Sequence, residues 1–427
     1  MIKKILKKII TSILRKEAKA ILKKFNPKIV AVTGTVGKTS TKEAVALALE
    51  SSFNVGKSAK SYNSEIGLPL AIIGAKSGWN SLLSWIKVMA KGAGVILFAR
   101  KYPEILALEM GVDRPKDMEH AVSWVRPDVA VVTAVGDAPV HVEYFQDAKE
   151  LIKEKLKLAL ATKENGTVIL NADDETLASF SGKMKNKTKT LTFGFSPEAD
   201  IRASNYKMTF EGVTFKIESE GSIIPARLNG LFGQHNVYAA LAAFAAAVSL
   251  GVNPVKAAEA VSKMKPVPGR LNLLEGINGS YIFDDTYNSS PLALAAALEV
   301  MSEIKAKRKI AVFGPMMELG QYSEEEHRKA GAYASKSGID VIFIVGEKAK
   351  FIAEGALEKG FDAGKIFEFP DSAEAGEALK CILEKGDFVL VKGSQSARME
   401  KTVEKIMANP ELKEELLVRQ EKEWQKR

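Results

Sequence analysis

The chain has 427 residues, 46% hydrophobic and 26% charged, which is ordinary globular material long enough for two or three cored domains and excludes a disordered chain. One cysteine, Cys381, excludes an internal disulfide and a multi-cysteine metal site; its leucine-containing helical surroundings predict a small buried hydrophobe, and the chain reads as cytoplasmic. Most of the net charge of +9 falls in residues 1–26, where nine Lys or Arg stand against Glu17 alone, so the nearly neutral body lacks the footprint of a nucleic-acid binder and no nucleic-acid partner is expected.

The first segment, "MIKKILKKIITSILRKEAKAILKKF", sets Ile2, Ile5, Leu6, Ile9, Ile10, Ile13, Leu14, Leu22 and Phe25 on a helical stripe opposite lysines. Its lysines interrupt every long apolar run, so it predicts a helix that lies on an anionic membrane surface or packs on the body, and not a span or a signal peptide. After it, "KIVAVTG", "EILALEMG", "PDVAVVTAVG" and "GTVILNADD" are short β-rich runs separated by helical patterns, predicting a mostly parallel sheet with helices on both faces. Between the first two, Ser81 to Leu106 reads as a buried connecting helix and strand, although Trp85 and its lysines would also suit an interface. The stretch from Thr192 to Gly230 predicts antiparallel strands, and His235 to Met264 an alanine-rich helical pair. "YIFDDTYN", "KIAVFGPMMELG", "DVIFIVGE" and "DFVLVKGS" repeat the parallel pattern after the junction "KPVPGR". The expected organisation is a basic amphipathic helix over 1–26, a central domain over 27–267 and a C-terminal Rossmann-like domain over 268–427.

The chemistry is densest at "VTGTVGKTS". A strand, Gly34, Gly37, Lys38 and then a helix place unpaired N–H groups and a positive helix end around an anion, with Lys38 as a point charge and Thr39 as a hydroxyl for Mg²⁺. The spacing departs from the strict eight-residue phosphate loop, since Val32 stands five positions before Gly37 and Gly34 supplies the turn. ATP is the expected owner of the phosphate. Glu109 and His141 follow other strand ends, where a carboxylate and an imidazole suit one or two Mg²⁺ or Mn²⁺ ions beside phosphate oxygens.

Taken in order, "VTGTVGKTSTKE", "SYNSEIGLPLAI", "LALEMGVDRP", "RPDVAVVTAVG", "VILNADDE", "GQHNVYAALAA", "PVPGRLN", "FDDTYNSSPLAL", "AVFGPMMELG" and "VLVKGSQSARME" resemble the Mur ligases. Within that family, the motifs at Asn63–Pro69 and Asp284–Pro291 are most similar to the branch that adds D-Ala-D-Ala to a UDP-muramoyl peptide in peptidoglycan synthesis. The resemblance, over residues 27 to 405, implies a central ATPase domain, a second Rossmann-like domain that closes over ATP, and an acyl phosphate intermediate. It implies Gly34, Thr35, Gly37, Lys38, Thr39, Ser40, Asn236, Arg270 and Asp285 around the nucleotide, and Asn63, Glu65, Tyr287, Asn288, Lys392 and Ser394 around the other substrates. A carbamylated lysine holds a second Mg²⁺ in this family; spacing to "ENG" points to Lys155, with Lys153 as the alternative on the same helix. Lys38, Lys155 and His141 are then the catalytic set, and Thr39, Glu109, His141 and Lys155 the metal set.

Three departures accompany the resemblance. Before the loop there is only the basic helix where the family has a UDP-binding domain, so the acceptor is expected to be held differently or carried on lipid, with the longer stretch Gly74–Lys101 as compensation. Ala134 and Ala239 replace asparagines. The rival functions are a related amide ligase such as a folylpolyglutamate synthase, and a membrane-attached nucleotide-binding scaffold, which would have no need of Lys38, Glu109, His141 and Lys155.

Overall fold

The computed structural model describes residues 2–58, 65–79, 81–136, 142–182, 184, 188–421 and 424, with side chains from residue 6 onward. Its first sheet contains β1 (Lys28–Thr33), β2 (Val55–Lys57), β3 (Ile105–Glu109), β4 (Val129–Val132), β5 (Thr167–Asn171), β6 (Lys189–Gly194), β7 (Ile201–Thr209), β8 (Gly212–Ser219) and β9 (Ser222–Asn229) in the order β2-β3-β1-β4-β5-β6-β7-β8-β9. Pairing is parallel from β2 to β7 and antiparallel among β7, β8 and β9. The chain order reverses around β1, which puts a crevice at the carboxyl end of that strand.

The helices of this half are α1 (Ile2–Phe25), α2 (Lys38–Glu50), α3 (Gly67–Ile73), α4 (Leu82–Phe98), α5 (Asp117–Val122), α6 (Ala148–Leu160), α7 (Glu175–Ser181), α8 (Gln234–Ser249) and α9 (Pro254–Val261). Alternation along β1 divides the core: Val30 and Val32 pack among residues of α2, α8 and α9, while Ile29 and Ala31 pack among those of α1, α3 and α6. Both faces are covered, which is why "KIVAVT" is buried throughout after Lys28 and apolar up to its closing Thr33. The alanines of α8 bury almost its whole circumference and let it lie close on α2.

The second sheet contains β10 (Asn272–Glu275), β11 (Tyr281–Asp285), β12 (Arg308–Phe313), β13 (Val341–Val345), β14 (Ile366–Phe369) and β15 (Asp387–Lys392) in the order β10-β11-β15-β12-β13-β14, parallel except for β10. Helices α10 (Pro291–Glu303), α11 (Ser323–Ala334) and α12 (Lys350–Leu357) cover one face, and α13 (Ser372–Ile382) with α14 (Glu400–Ile406) covers the other. The expected α/β architecture with two mostly parallel sheets is what forms.

Two local expectations change, and for α1 the structure shows the packing on the body that was one of its two expected settings. Cys381 is exposed, because the buried positions of α13 are Ser372, Ala375, Gly376 and Leu379, and Cys381 lies two residues past Leu379, on the other side of the helix. The basic helix α1 is no detached surface helix: Ile10, Leu14, Ala18 and Ile21 are buried against the body, each contributing about 1.5–3 kcal/mol relative to exposure for the larger side chains. The stretch 81–106 is buried only in part. Its strand β3 is fully enclosed, but α4 is the outermost layer, packed on α1 and α3, and leaves Leu82, Leu83, Ile86, Leu97 and Phe98 in solvent.

Where α1 meets α4, any side chain at position 92 would collide with Glu17, so Gly92 is what lets that carboxylate in. Glu17 Oε2 is shut from water with no hydrogen-bond partner among the described residues, and burial pushes the carboxyl up to about 7. The folded protein therefore favours the neutral form. The site costs no stability below the ordinary value of 4.5, and the cost grows as pH rises toward 7. Glu17→Gln is expected to raise stability by about 1 kcal/mol at pH 8, discounted for partial solvent contact, and by much less at pH 5. Urea titrations of both proteins at the two pH values check this; a gain equal at both would contradict it.

Candidate active site

The loop after β1 is bent by two glycines for different reasons. Gly34 has φ 148°, and a Cβ there would come within 2.1 Å of Thr133 Oγ1. Gly37 caps α2 in the left-handed region at φ 79°. Neighbouring strands hold the loop: Thr35 N donates to the Ala134 carbonyl at 2.6 Å, Thr35 Oγ1 donates to the Val135 carbonyl at 2.8 Å, and Thr133 Oγ1 donates to the Val36 carbonyl at 2.6 Å. Asp174 fixes the next turn by accepting from Val135 N and Gly136 N at 2.8 and 3.0 Å. Lys38 Nζ folds back onto the carbonyls of Gly34 and Thr35 at 2.9 and 3.0 Å. Burial pushes its ammonium down, Glu109 and Asp113 oppose that, and Arg270 adds to it.

The predicted residues fall into groups. Thr39 Oγ1 donates to Glu109 Oε2 at 3.0 Å, so a hydroxyl and a carboxylate meet at the mouth of the loop. Lys155, on α6, is buried with Nζ 3.1 Å from Thr35 Oγ1, whereas Lys153 is exposed. Burial and the charge of Lys38 push the Lys155 ammonium down to about 7. His141 and Asn63 lie outside the described residues. Ser40 is half-buried in the first turn of α2, and Glu65 is exposed just before α3.

The second sheet presents its strand ends to this loop. Arg270 reaches across, with one guanidinium nitrogen 3.5 Å from Thr39 Oγ1 and the group stacked 4.0 Å over the Tyr287 ring. Its Nε is buried with no partner among the described residues, as is His235 Nδ1, whose ring burial pushes down to about 4 and keeps neutral. Two such orphaned groups, one of them on the arginine that reaches the loop, fit an anionic, hydrogen-bonding ligand. Asn236 uses its amide inside the protein, donating to the Phe232 carbonyl at 2.7 Å and meeting His235 Nε2 at 3.1 Å.

Asp285 and Lys392 are brought together as a buried ion pair at 2.6 Å, with Lys392 also bonding the Asn288 carbonyl and Asp285 accepting from Leu271 N. Ser394 is buried and accepts from Met317 N. These three brace the strand ends of the second sheet. Exposed Asn288 and half-buried Tyr287 are the members of that group open to solvent. Replacing Lys392 by Met leaves the Asp285 charge enclosed and is expected to cost about 3–5 kcal/mol, while adding Asp285→Asn restores most of it. A denaturant double-mutant cycle measures the pair, and additive losses would overturn this account.

Sequence reasoning missed Thr133, Asp174 and Arg419. The last comes from the C-terminal segment, is buried, donates to the Glu400 carboxylate at 2.7 Å, and donates to the carbonyls of Thr286 and Tyr287. It thereby holds the Tyr287 turn on which Arg270 stacks. Asp174 lay within a quoted motif, but no spacing signal marked Arg419. Between the halves, a cleft of about 340 Å³ opens beside Thr35, Val135 and Gly136, walled opposite by Leu292, Lys329 and Tyr333.

A phosphate loop at the switch point of a parallel sheet, faced by an arginine from a second parallel sheet, defines an ATP-using α/β enzyme that works at the junction of its two halves. Comparison with known proteins narrows the class. Residues 32–85 and 86–247 match the Mur ligase middle domain, and residues 269–395 match the Mur ligase, glutamate ligase domain. The chain belongs to the Mur ligase family, and it is an ATP-dependent ligase. It is 29% identical over 400 residues to the UDP-N-acetylmuramoyl-tripeptide--D-alanyl-D-alanine ligase of Bacillus subtilis (strain 168), covering 93% of this chain and 79% of that protein. Identity to the same-named enzyme of Escherichia coli (strain K12) is 29% over 389 residues, covering 90% and 77%. Among solved structures, the MurF ligase of Thermotoga maritima in complex with ADP superposes with a TM-score of 0.77 at 28% identity, covering 92% of this chain and 83% of that one.

Proposed function

We propose that the chain joins D-Ala-D-Ala to the free carboxylate of a UDP-linked muramoyl tripeptide, at the expense of ATP, in the cytoplasm. The observation that carries this reading is the meeting of Lys38, Thr39 and Lys155 from the first sheet's half with Arg270 from the second, beside a cleft between the two. Bringing a carboxylate to the γ-phosphate sets two anions together, so the protein's share of catalysis is cationic stabilisation and positioning. The carboxylate oxygen attacks γ-phosphorus, ADP leaves, and an acyl phosphate forms. The dipeptide amine then attacks the acyl carbon, loses a proton, and phosphate leaves as the amide forms. Lys38 and the loop N–H groups would hold the transferring phosphoryl group, and Arg270 would neutralise charge from the opposite side.

The hydroxyl and carboxylate pair of Thr39 and Glu109 is a hard-oxygen set that suits Mg²⁺, with His141 as a further proposed ligand. A bound Mg²⁺ would supply charge neutralisation at the phosphate oxygens. We assign Lys155 as the carbamylated lysine: its lowered pKa leaves a neutral amine at physiological pH that can take up CO₂, turning a repelling ammonium into a carboxylate-like ligand. The working units are 27–267 and 268–427, hinged near residues 265–270, so that closure brings Arg270 to Thr39. Asn63, Glu65, Tyr287 and Asn288 are the proposed contacts to the peptide substrates, with Gly34, Thr35, Gly37, Ser40, Asn236 and Asp285 around the nucleotide.

Phosphate release from ATP and Mg²⁺, with mass analysis of the product, tests the proposal when UDP-muramoyl tripeptide and D-Ala-D-Ala are supplied together or singly. An amide product that needs both is the expected result. Turnover only with the lipid-linked form of the acceptor would change the acceptor's carrier, and turnover with neither would overturn the assignment.

A further inference from the structure

The outer face of α4 stands out among the described residues. Leu83, Leu97 and Phe98 are 72%, 68% and 80% exposed, and Leu82 and Ile86 join them along one side of the helix. Their positions fall within one broad helical face, while Val88 and Gly92 point inward. Soluble surfaces carry single exposed leucines without meaning, but five on one face of a single helix are a contiguous patch.

Helix α1 extends the patch. Glu17 of α1 sits against Gly92 of α4, and Lys24 Nζ donates to the carbonyls of Ile96 and Ala99 at 2.7 and 2.9 Å, so the two helices run side by side in the same direction. The first half of α1, with Leu6, Ile9 and Ile13 exposed, therefore accompanies the first half of α4. Because α1 and α4 both lead into the starts of parallel strands, their first halves lie toward the strand ends where the phosphate loop opens.

Along α1 and α4 the exposed charge beside this apolar face has one sign. Exposed Lys7, Lys8, Lys87, Lys91 and Arg100 border it, no acidic residue occurs between Lys76 and Lys101, and the one acid of α1, Glu17, is turned into the α1–α4 contact. A second copy of this chain would meet the face with the same cations, setting like charges opposite each other. An anionic bilayer surface matches both features: headgroups for the lysines and acyl boundary for the leucines and phenylalanine between them.

We propose that α1 and α4 together form a docking face on which the protein lies against an anionic lipid bilayer, with α4 supplying the inserted side chains. None of the described helices is long and apolar enough to cross a membrane, so the contact is peripheral. The inference is independent of which acceptor the active site uses.

The test is flotation of the full chain with phosphatidylglycerol-containing vesicles and with phosphatidylcholine vesicles, comparing wild type with Leu83→Glu/Phe98→Glu. Both substituted side chains are exposed, so melting temperature in the absence of vesicles should be unchanged. Expected are binding to the anionic vesicles, weakened by salt, and at least about tenfold weaker binding of the variant. No binding of wild type, or equal binding of the variant, would overturn the proposal. A concentration-dependent dimer in vesicle-free solution that the double variant dissolves would also overturn it, and would assign the face to a second copy.

Discussion

Lys38→Ala is expected to lower kcat for ADP formation by about 10²–10³-fold, roughly 3–4 kcal/mol of transition-state stabilisation, with little change in melting temperature. The charge stands at the one place where the loop, Glu109, Asp113 and Arg270 all act on it, and it is partly enclosed, where a cation is worth more than in water. Its hydrogen bonds go to two loop carbonyls within four residues of it, and the loop is also held by Thr35 and Thr133 through bonds that the substitution leaves in place, so the fold loses little. Lys38→Arg is expected to rescue poorly, since a planar fork does not fit a pocket built around a point charge. Steady-state phosphate release against ATP concentration is the measurement. Wild-type turnover in Lys38→Ala would remove the loop from catalysis.

Lys155 carries the second large effect. With its ammonium pushed down to about 7, the amine is about nine-tenths neutral at pH 8 and about one-tenth neutral at pH 6. Only the neutral amine adds CO₂. Activity should therefore fall below pH 7 in CO₂-depleted buffer and return with bicarbonate at pH 8. Lys155→Ala should lose about 10²-fold or more and be partly restored by small carboxylic acids that occupy the vacated space, whereas exposed Lys153→Ala should be near wild type. A carbamate signal from ¹³C-labelled bicarbonate, present in wild type and missing in Lys155→Ala, separates this from a merely structural lysine. Activity indifferent to CO₂ in wild type would overturn the assignment.

Much of the architecture was legible along the chain because parallel strands buried on both faces are short, continuous apolar runs that end at glycines or acids. "KIVAVT" and "DFVLVK" show this, and the phosphate loop announces itself because its chemistry is local: two glycines, Lys38 and Thr39 act within one turn. The errors arose where burial depends on what lies outside the element. Cys381 has helical apolar neighbours yet faces water, and α4 has the composition of a buried connector yet is the outermost layer.

By itself, then, the sequence determined the strand and helix pattern, the family, and the residues whose partners are near neighbours, because local periodicity and turn chemistry need only a few residues of context. The tertiary structure alone decided that Lys155, which the sequence already favoured over Lys153, reaches Thr35 from a buried position, that Arg270 stacks on Tyr287, and that Arg419 supports that turn from the C-terminal segment. It also decided that α1 is half buried while α4 keeps an apolar face open. Those outcomes depend on which surfaces meet across two sheets, and contacts between residues distant in the chain leave no periodic trace in it.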